Sequence, residues 1–172
     1  MPDRTTGLKG TQFKLEGPEL KVGDKAPDFT LQQKNTSGIV DVHLADYAGK
    51  TLLLSVVPSL DTPVCAIQTK TFNERAAQLP DSTAVLTVST DLPFAQGRFC
   101  GAEGIDKIET ASDHRDVNFG KSYGVLITEG PFARVLSRAI FVVDPNGTLK
   151  HVEYVPEIPD HPNYDSAISA AS

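Results

Sequence analysis

The stretch that decides the fold is "TLLLSVVPSLDTPVCAIQTKTFNERAAQLPDSTAVLTVST", residues 51–90. It opens with an apolar run, residues 51–57, of strand length and without polar alternation, which is the pattern of a strand buried on both faces. From residue 66 to residue 79, Ile67, Phe72, Ala76 and Leu79 recur near helical spacing, and Pro80 and Asp81 stop the pattern. A second apolar run follows at 83–90. Strand, helix and strand with a connection of this length predict a βαβ unit with parallel strands and a right-handed crossover. Cys65 then lies in the loop at the C-terminal edge of the first strand and directly ahead of the helix, where open α/β sheets bind ligands.

Working outward, "GLKGTQFKLEGPEL" alternates around Gly10 and predicts a short N-terminal β-hairpin. "KAPDFTLQQ" and "GIVDVHL" read as two further strands, broken by the turn residues Asn35 to Gly38. "DLPFAQGRFC" predicts a helix with Asp91 as its N-cap, Pro93 in its first turn, and Gly101 ending it just after Cys100. "RAIFVVD" and "TLKHVEYV" flank the turn Asp144-Pro145-Asn146-Gly147 and predict an antiparallel hairpin, and "NYDSAISAAS" a last short helix. These elements make an α/β chain with a central mixed β-sheet flanked by helices. With 172 residues, no linker-like stretch and no repeat, residues 1–172 are expected to form one domain.

The totals narrow the chemistry. A formal net charge of -6 argues against nucleic acid or an anionic membrane as the main partner, since either asks for a basic face. The N-terminal stretch has no apolar signal core, and no run approaches the ~18 apolar residues of a membrane span, so a cytoplasmic protein is expected. Two cysteines in a chain of this size are too few for a secreted disulfide framework. His43, His114, His151 and His161 are scattered, so no metal site is expected.

Cys65 follows Asp61, Thr62, Pro63 and Val64, which open a helix rather than continue an apolar run. Backbone N–H groups and the dipole at a helix N-terminus favour thiolate over thiol. Thiolate supply by itself contributes at most ~30-fold, about 2 kcal/mol, whereas a rate enhancement of ~10⁶ needs roughly 8 kcal/mol. The remainder must come from positioning a substrate and stabilising charge on its leaving atom. Thr62 is placed to turn its hydroxyl toward the sulfur, and Pro58 to shield it from water. Arg138, a charge opening the apolar strand "AIFVVD", is the cation best suited to meet an anion there.

Pro58, Thr62 and Cys65 stand as P-x-x-x-T-x-x-C, with "KAPDFTL" before them and "DLPFAQGRFCGAEG" and "RAIFVVD" after. In this set and order the chain resembles the peroxiredoxins, specifically the bacterial thiol peroxidase branch with two cysteines per chain. The resemblance implies a thioredoxin-like fold with an added N-terminal hairpin. It implies that Cys65 attacks a peroxide O–O bond, that Thr62 and Arg138 hold the peroxide and stabilise the departing oxygen, and that Pro58 shields the pocket. Cys100 is then the resolving cysteine, closing an intramolecular disulfide with Cys65 that thioredoxin reduces; no bound cofactor is implied, and a homodimer is.

Plainer readings of the same residues stand beside these. Cys65 can be a buried inert thiol, Thr62 an ordinary helix cap, and Arg138 a surface ion pair. The two cysteines, 35 residues apart, can form a permanent disulfide whose loop contributes roughly 4 kcal/mol. A non-enzymatic redox sensor or holdase of thioredoxin fold is the competing function. It differs from a peroxidase in that it does not consume peroxide continuously.

Overall fold

The structure is a computed structural model that describes residues 3–172. The chain begins with the expected hairpin, β1 (Thr5–Leu8) and β2 (Thr11–Glu16), whose antiparallel register pairs Leu8 with Thr11. Its two-residue turn needs positive φ at both positions, 50° at Lys9 and 84° at Gly10, and glycine meets that demand without strain. Next come the antiparallel pair β3 (Thr30–Asn35) and β4 (Gly38–His43), then β5 (Thr51–Val56), helix α1 (Pro63–Arg75) and β6 (Thr83–Ser89). Helix α2 (Pro93–Glu103), β7 (Glu109–Ser112), α3 (Asn118–Ser122) and β8 (Leu126–Ile127) follow. The chain closes with β9 (Ala139–Val143), β10 (Leu149–Tyr154) and α4 (Tyr164–Ala171).

Seven strands form one mixed sheet in the order β10-β9-β5-β6-β7-β3-β4. β5 and β6 are parallel, with Leu52 opposite Ala84 and Val56 opposite Val88, as the βαβ pattern predicts. β9 runs antiparallel to β5 on its other side. The hairpin and β8 make a second, three-stranded sheet.

Alternation along β5 divides the core in two. Leu52, Leu54 and Val56 face a cluster that includes the stacked rings of Phe119 and Tyr123, while Leu53 and Val57 face Phe72, Phe99 and Ile168 of α1, α2 and α4. Cys65 belongs to the second cluster, which is thus bounded by the three helices on one side of the sheet. No helix among the described residues is long and apolar enough to cross a membrane.

Three local readings need correction. α1 begins at Pro63, so Cys65 sits inside its first turn rather than ahead of it, and the buried stripe is Cys65, Gln68, Thr69, Phe72 and Asn73. Ile67 is 48% exposed, because two polar residues of that stripe occupy the inner face in its place. Leu92, not Asp91, caps α2, and Gly104 in the left-handed conformation (φ 67°), not Gly101, ends it. Asp91 has better partners than a helix end, as described below.

Candidate active site

Asp91 builds the corner that carries the site. One carboxylate oxygen accepts from Ser59 Oγ at 2.7 Å, and the other from the Leu60 N–H at 2.8 Å and Ser89 Oγ at 2.7 Å. The Pro58–Leu60 loop is therefore fixed to the end of β6, and Pro58 is buried there. The chain leaves this corner through Thr62, the N-cap of α1. The Thr62 side chain makes no capping bond; its hydroxyl donates to the Ser59 carbonyl at 2.9 Å, not to the Cys65 sulfur as the sequence led us to expect. Free N–H groups at a helix start remain available to an anionic ligand.

Cys65 has no exposed surface, and Arg138 only 2%. Arg138 Nη2 donates toward Cys65 Sγ at 3.4 Å and to the Ile158 carbonyl at 2.9 Å, to which Nε also donates at 3.3 Å. Nη1 donates to Gln68 Oε1 at 2.9 Å, and Gln68 Nε2 in turn donates to Ser55 Oγ at 2.8 Å. The guanidinium is thus held by a carbonyl, an amide oxygen and a sulfur, none of them a carboxylate. A buried cation costs several kcal/mol unless an anion meets it, so this arrangement favours negative charge on an oxygen bound beside the sulfur. The hairpin contributes at a distance: the Gly7 N–H donates to the Pro156 carbonyl and the Ile158 N–H to the Gly7 carbonyl, both at 2.8 Å, which sets the Ile158 carbonyl that holds Arg138.

Tyr164 of α4 closes the other side, its ring edge-to-face with Phe72 at 5.4 Å and its hydroxyl 2.8 Å from His161 Nδ1. Burial pushes its phenol above the ordinary tyrosine value, with the Arg138 charge pulling against that. A cavity of about 270 Å³ lies between the start of α1 with the loop before it and α2, lined by Leu60, Thr62, Pro63 and Ala66 on one side and by Phe99 and Ala102 on the other.

Cys100 is placed differently. It is half-buried on α2, with Sγ 3.9 Å from Thr110 Oγ1 of β7, and burial pushes its thiol up while the Thr110 bond works the other way. Both cysteines are free thiols. The structure therefore brings Pro58, Thr62, Cys65 and Arg138 to one corner and keeps Cys100 outside it, on the same side of the sheet. Sequence reasoning missed Gln68, Asp91, Tyr164 and the Ile158 carbonyl. Gln68 alone left a sign, as a polar residue three positions after Cys65 on the inward face of its helix.

Known proteins resemble this chain over nearly its whole length. The Redoxin family profile matches residues 21–168. A thiol peroxidase of Bacillus subtilis (strain 168) is 53% identical over 164 residues, covering 95% of this chain and 94% of that relative. A thiol peroxidase of Leptospira interrogans is 49% identical over 167 residues, covering 96% and 95%. Among solved structures, a peroxiredoxin-like protein from Aquifex aeolicus superposes with a TM-score of 0.90 at 42% identity, over 98% of this chain and 95% of that one. A thiol peroxidase from Chromobacterium violaceum, 22% identical with a TM-score of 0.85 over 96% and 93%, shares the fold.

The chain belongs to the Redoxin family, with a thioredoxin-like fold. Its activity is that of a thiol-dependent peroxidase, an oxidoreductase of the peroxiredoxin kind.

Proposed function

We propose that Cys65 is the residue oxidised by peroxide, and the contact that carries this reading is the 3.4 Å approach of the buried Arg138 to its sulfur. The Cys65 thiolate attacks one peroxide oxygen, the O–O bond breaks, and the departing oxygen takes a proton to leave as water or an alcohol, with the sulfur left as sulfenic acid. Arg138 stabilises charge on the departing oxygen. Thr62, whose proton is committed to the Ser59 carbonyl, keeps its lone pairs to accept from the peroxide O–H. Pro58 limits access of water.

Cys100 then condenses with the sulfenic acid to a Cys65–Cys100 disulfide and water, and thioredoxin reduces that disulfide with two electrons. In this reading residues 1–172 act as one domain, in the cytoplasm, without a bound cofactor. A homodimer fits the exposed apolar side chains Ile67, Leu92 and Phe94 on the first turns of α1 and at the start of α2, which are 48%, 52% and 62% exposed.

The test is peroxide-dependent NADPH oxidation in the presence of thioredoxin and its reductase, together with mass analysis of the peroxide-treated protein. The expected product has lost two hydrogens and gained no oxygen, as a single chain. In Cys100→Ser the first oxidation proceeds at a near-normal rate, but the sulfenic acid persists or climbs to sulfinic acid. Normal turnover of Cys100→Ser with thioredoxin overturns the resolving role and leaves Cys65 chemistry intact.

A further inference from the structure

Disulfide formation requires the two sulfurs to meet at ~2 Å, yet their present partners are far apart. Arg138 precedes β9 and Thr110 lies on β7, three strand spacings away, about 14 Å. Helix α2 must therefore give way. Phe99 packs its inner face into the core, and polar contacts hold its two ends. Gln96 Nε2 donates to Ser89 Oγ at 3.0 Å and to the Ala111 carbonyl at 2.8 Å, and Lys70 of α1 meets Glu103 at 2.6 Å on the surface.

Beyond the end of α2 stands a firmer hold. Asn73 of α1, 8% exposed, accepts at Oδ1 from the N–H groups of Asp106 and Lys107 at 3.2 and 2.8 Å and donates from Nδ2 to the Gly104 carbonyl at 3.5 Å. Asn73 lies eight residues after Cys65 on the same helix, about 12 Å along its axis. The four residues from Cys100 to Gly104 reach about 13 Å when extended. The two lengths match.

We infer that Asn73 is a positioning residue for the resolving step: it holds the base of a four-residue leash whose unwinding carries Cys100 back along α1 to Cys65. This rests on the resolving role of Cys100 proposed above. The step is balanced without any further reactant, since the Cys100 thiol loses its proton and attacks the Cys65 sulfenic sulfur, the S–O bond breaks, and water leaves. Because the Asn73 bonds persist while the leash unwinds, they do not oppose opening. They shorten the tether. Without them the base rests on the apolar side chains of Ile105 and Ile108 alone, so the leash lengthens by one residue where Ile105 holds and by four where only Ile108 does, which lowers the effective concentration of the thiol by about 1.4-fold to threefold.

The experiment is rapid mixing of the reduced protein with peroxide, with quenching, thiol labelling and mass analysis to follow sulfenic acid and disulfide separately. Peptide mapping of the wild type comes first: absence of the Cys65–Cys100 disulfide sinks the resolving reading and this inference with it. Given that disulfide, Asn73→Ala is expected to oxidise Cys65 at the wild-type rate, to form the disulfide about 1.4-fold to threefold more slowly, and to yield more sulfinic acid per turnover. Asn73→Asp, which still accepts from the Asp106 and Lys107 N–H groups, is expected to recover most of the rate. A wild-type or faster resolving rate in Asn73→Ala overturns the inference and leaves the resolving reading standing. Should Asn73→Ala fail to fold, hydrogen exchange on the wild type decides. In the disulfide form residues 98–103 are expected to lose protection while the amides of Asp106 and Lys107 keep theirs, and loss of protection at both overturns the inference.

Discussion

Cys65 and Cys100 lie on neighbouring helices over one side of one sheet, yet their surroundings differ in kind. Cys65 is fully buried, sits in the first turn of α1 and faces a guanidinium that is itself locked by two further partners. Cys100 is half-buried near the end of α2, faces only a threonine hydroxyl at 3.9 Å, and is pushed toward the neutral thiol by burial. The first setting holds a fixed positive charge beside the sulfur. The second keeps a thiol neutral until its helix moves. The two-thiol reaction proposed above uses both, because a resident thiolate at Cys100 would compete for the oxidant at the wrong position.

The sharpest way to break this contrast is Cys65→Ser. Peroxide consumption with the thioredoxin system is expected to fall to background while circular dichroism shows a folded protein, since serine keeps the size and loses the ionisable nucleophile. Full turnover would remove Cys65 from the reaction. Arg138→Met comes next, with sulfur oxidation expected to slow by about 10²–10³ in stopped-flow experiments, as for the loss of a group that stabilises transition-state charge. A defect confined to re-reduction would move Arg138 to partner docking.

A smaller effect is expected from Gln68→Met, which keeps the volume and removes the amide that orients Arg138. One charge-assisted hydrogen bond is worth about 1.5–3 kcal/mol, so oxidation is expected to slow by roughly tenfold. The rate should fall in kcat/KM for peroxide, with disulfide formation unchanged.

The smallest effect concerns Cys100 and pH. Its pKa is raised in the folded state, so the closed form holds the proton more tightly than the open or unfolded form does. That contribution to closure is fully present below the ordinary thiol range and is lost as pH rises through the raised value. Hydrogen exchange of α2, corrected for its intrinsic pH dependence, is expected to accelerate a few-fold above that range, and Cys100→Ser should abolish the acceleration. An equal acceleration in the serine variant would assign it to another group.

Much of this was legible in the chain. The βαβ unit of residues 51–90 announced itself because two apolar runs and one helical spacing are long enough for their periods to show. β8 and α3, with two and five residues, are too short to carry a period and went unread. Arg138 was legible because a charge at the head of an apolar strand is out of place on bulk terms, and the fold buries it. Asp91 misled because a short acidic side chain before a proline reads as a cap, while its oxygens found three donors in a loop thirty residues earlier and on the strand behind it. The Ile158 carbonyl could not be read at all. Backbone acceptors leave no mark in the sequence, and only the tertiary structure says which of them point at a cation.

The clamp between Gly7 and residues 156–158 bears on the order in which the site is assembled during folding. About 150 residues of chain separate the two sides that it joins. The bonds that fix the Ile158 carbonyl, and through it the Arg138 guanidinium, therefore close late, because contacts of such long sequence separation carry a large loop-closure cost. In the reading proposed above, a chain folded around Cys65 but not yet closed by this clamp lacks a fixed cation, so its sulfur is spared oxidation until the last long-range contacts are made.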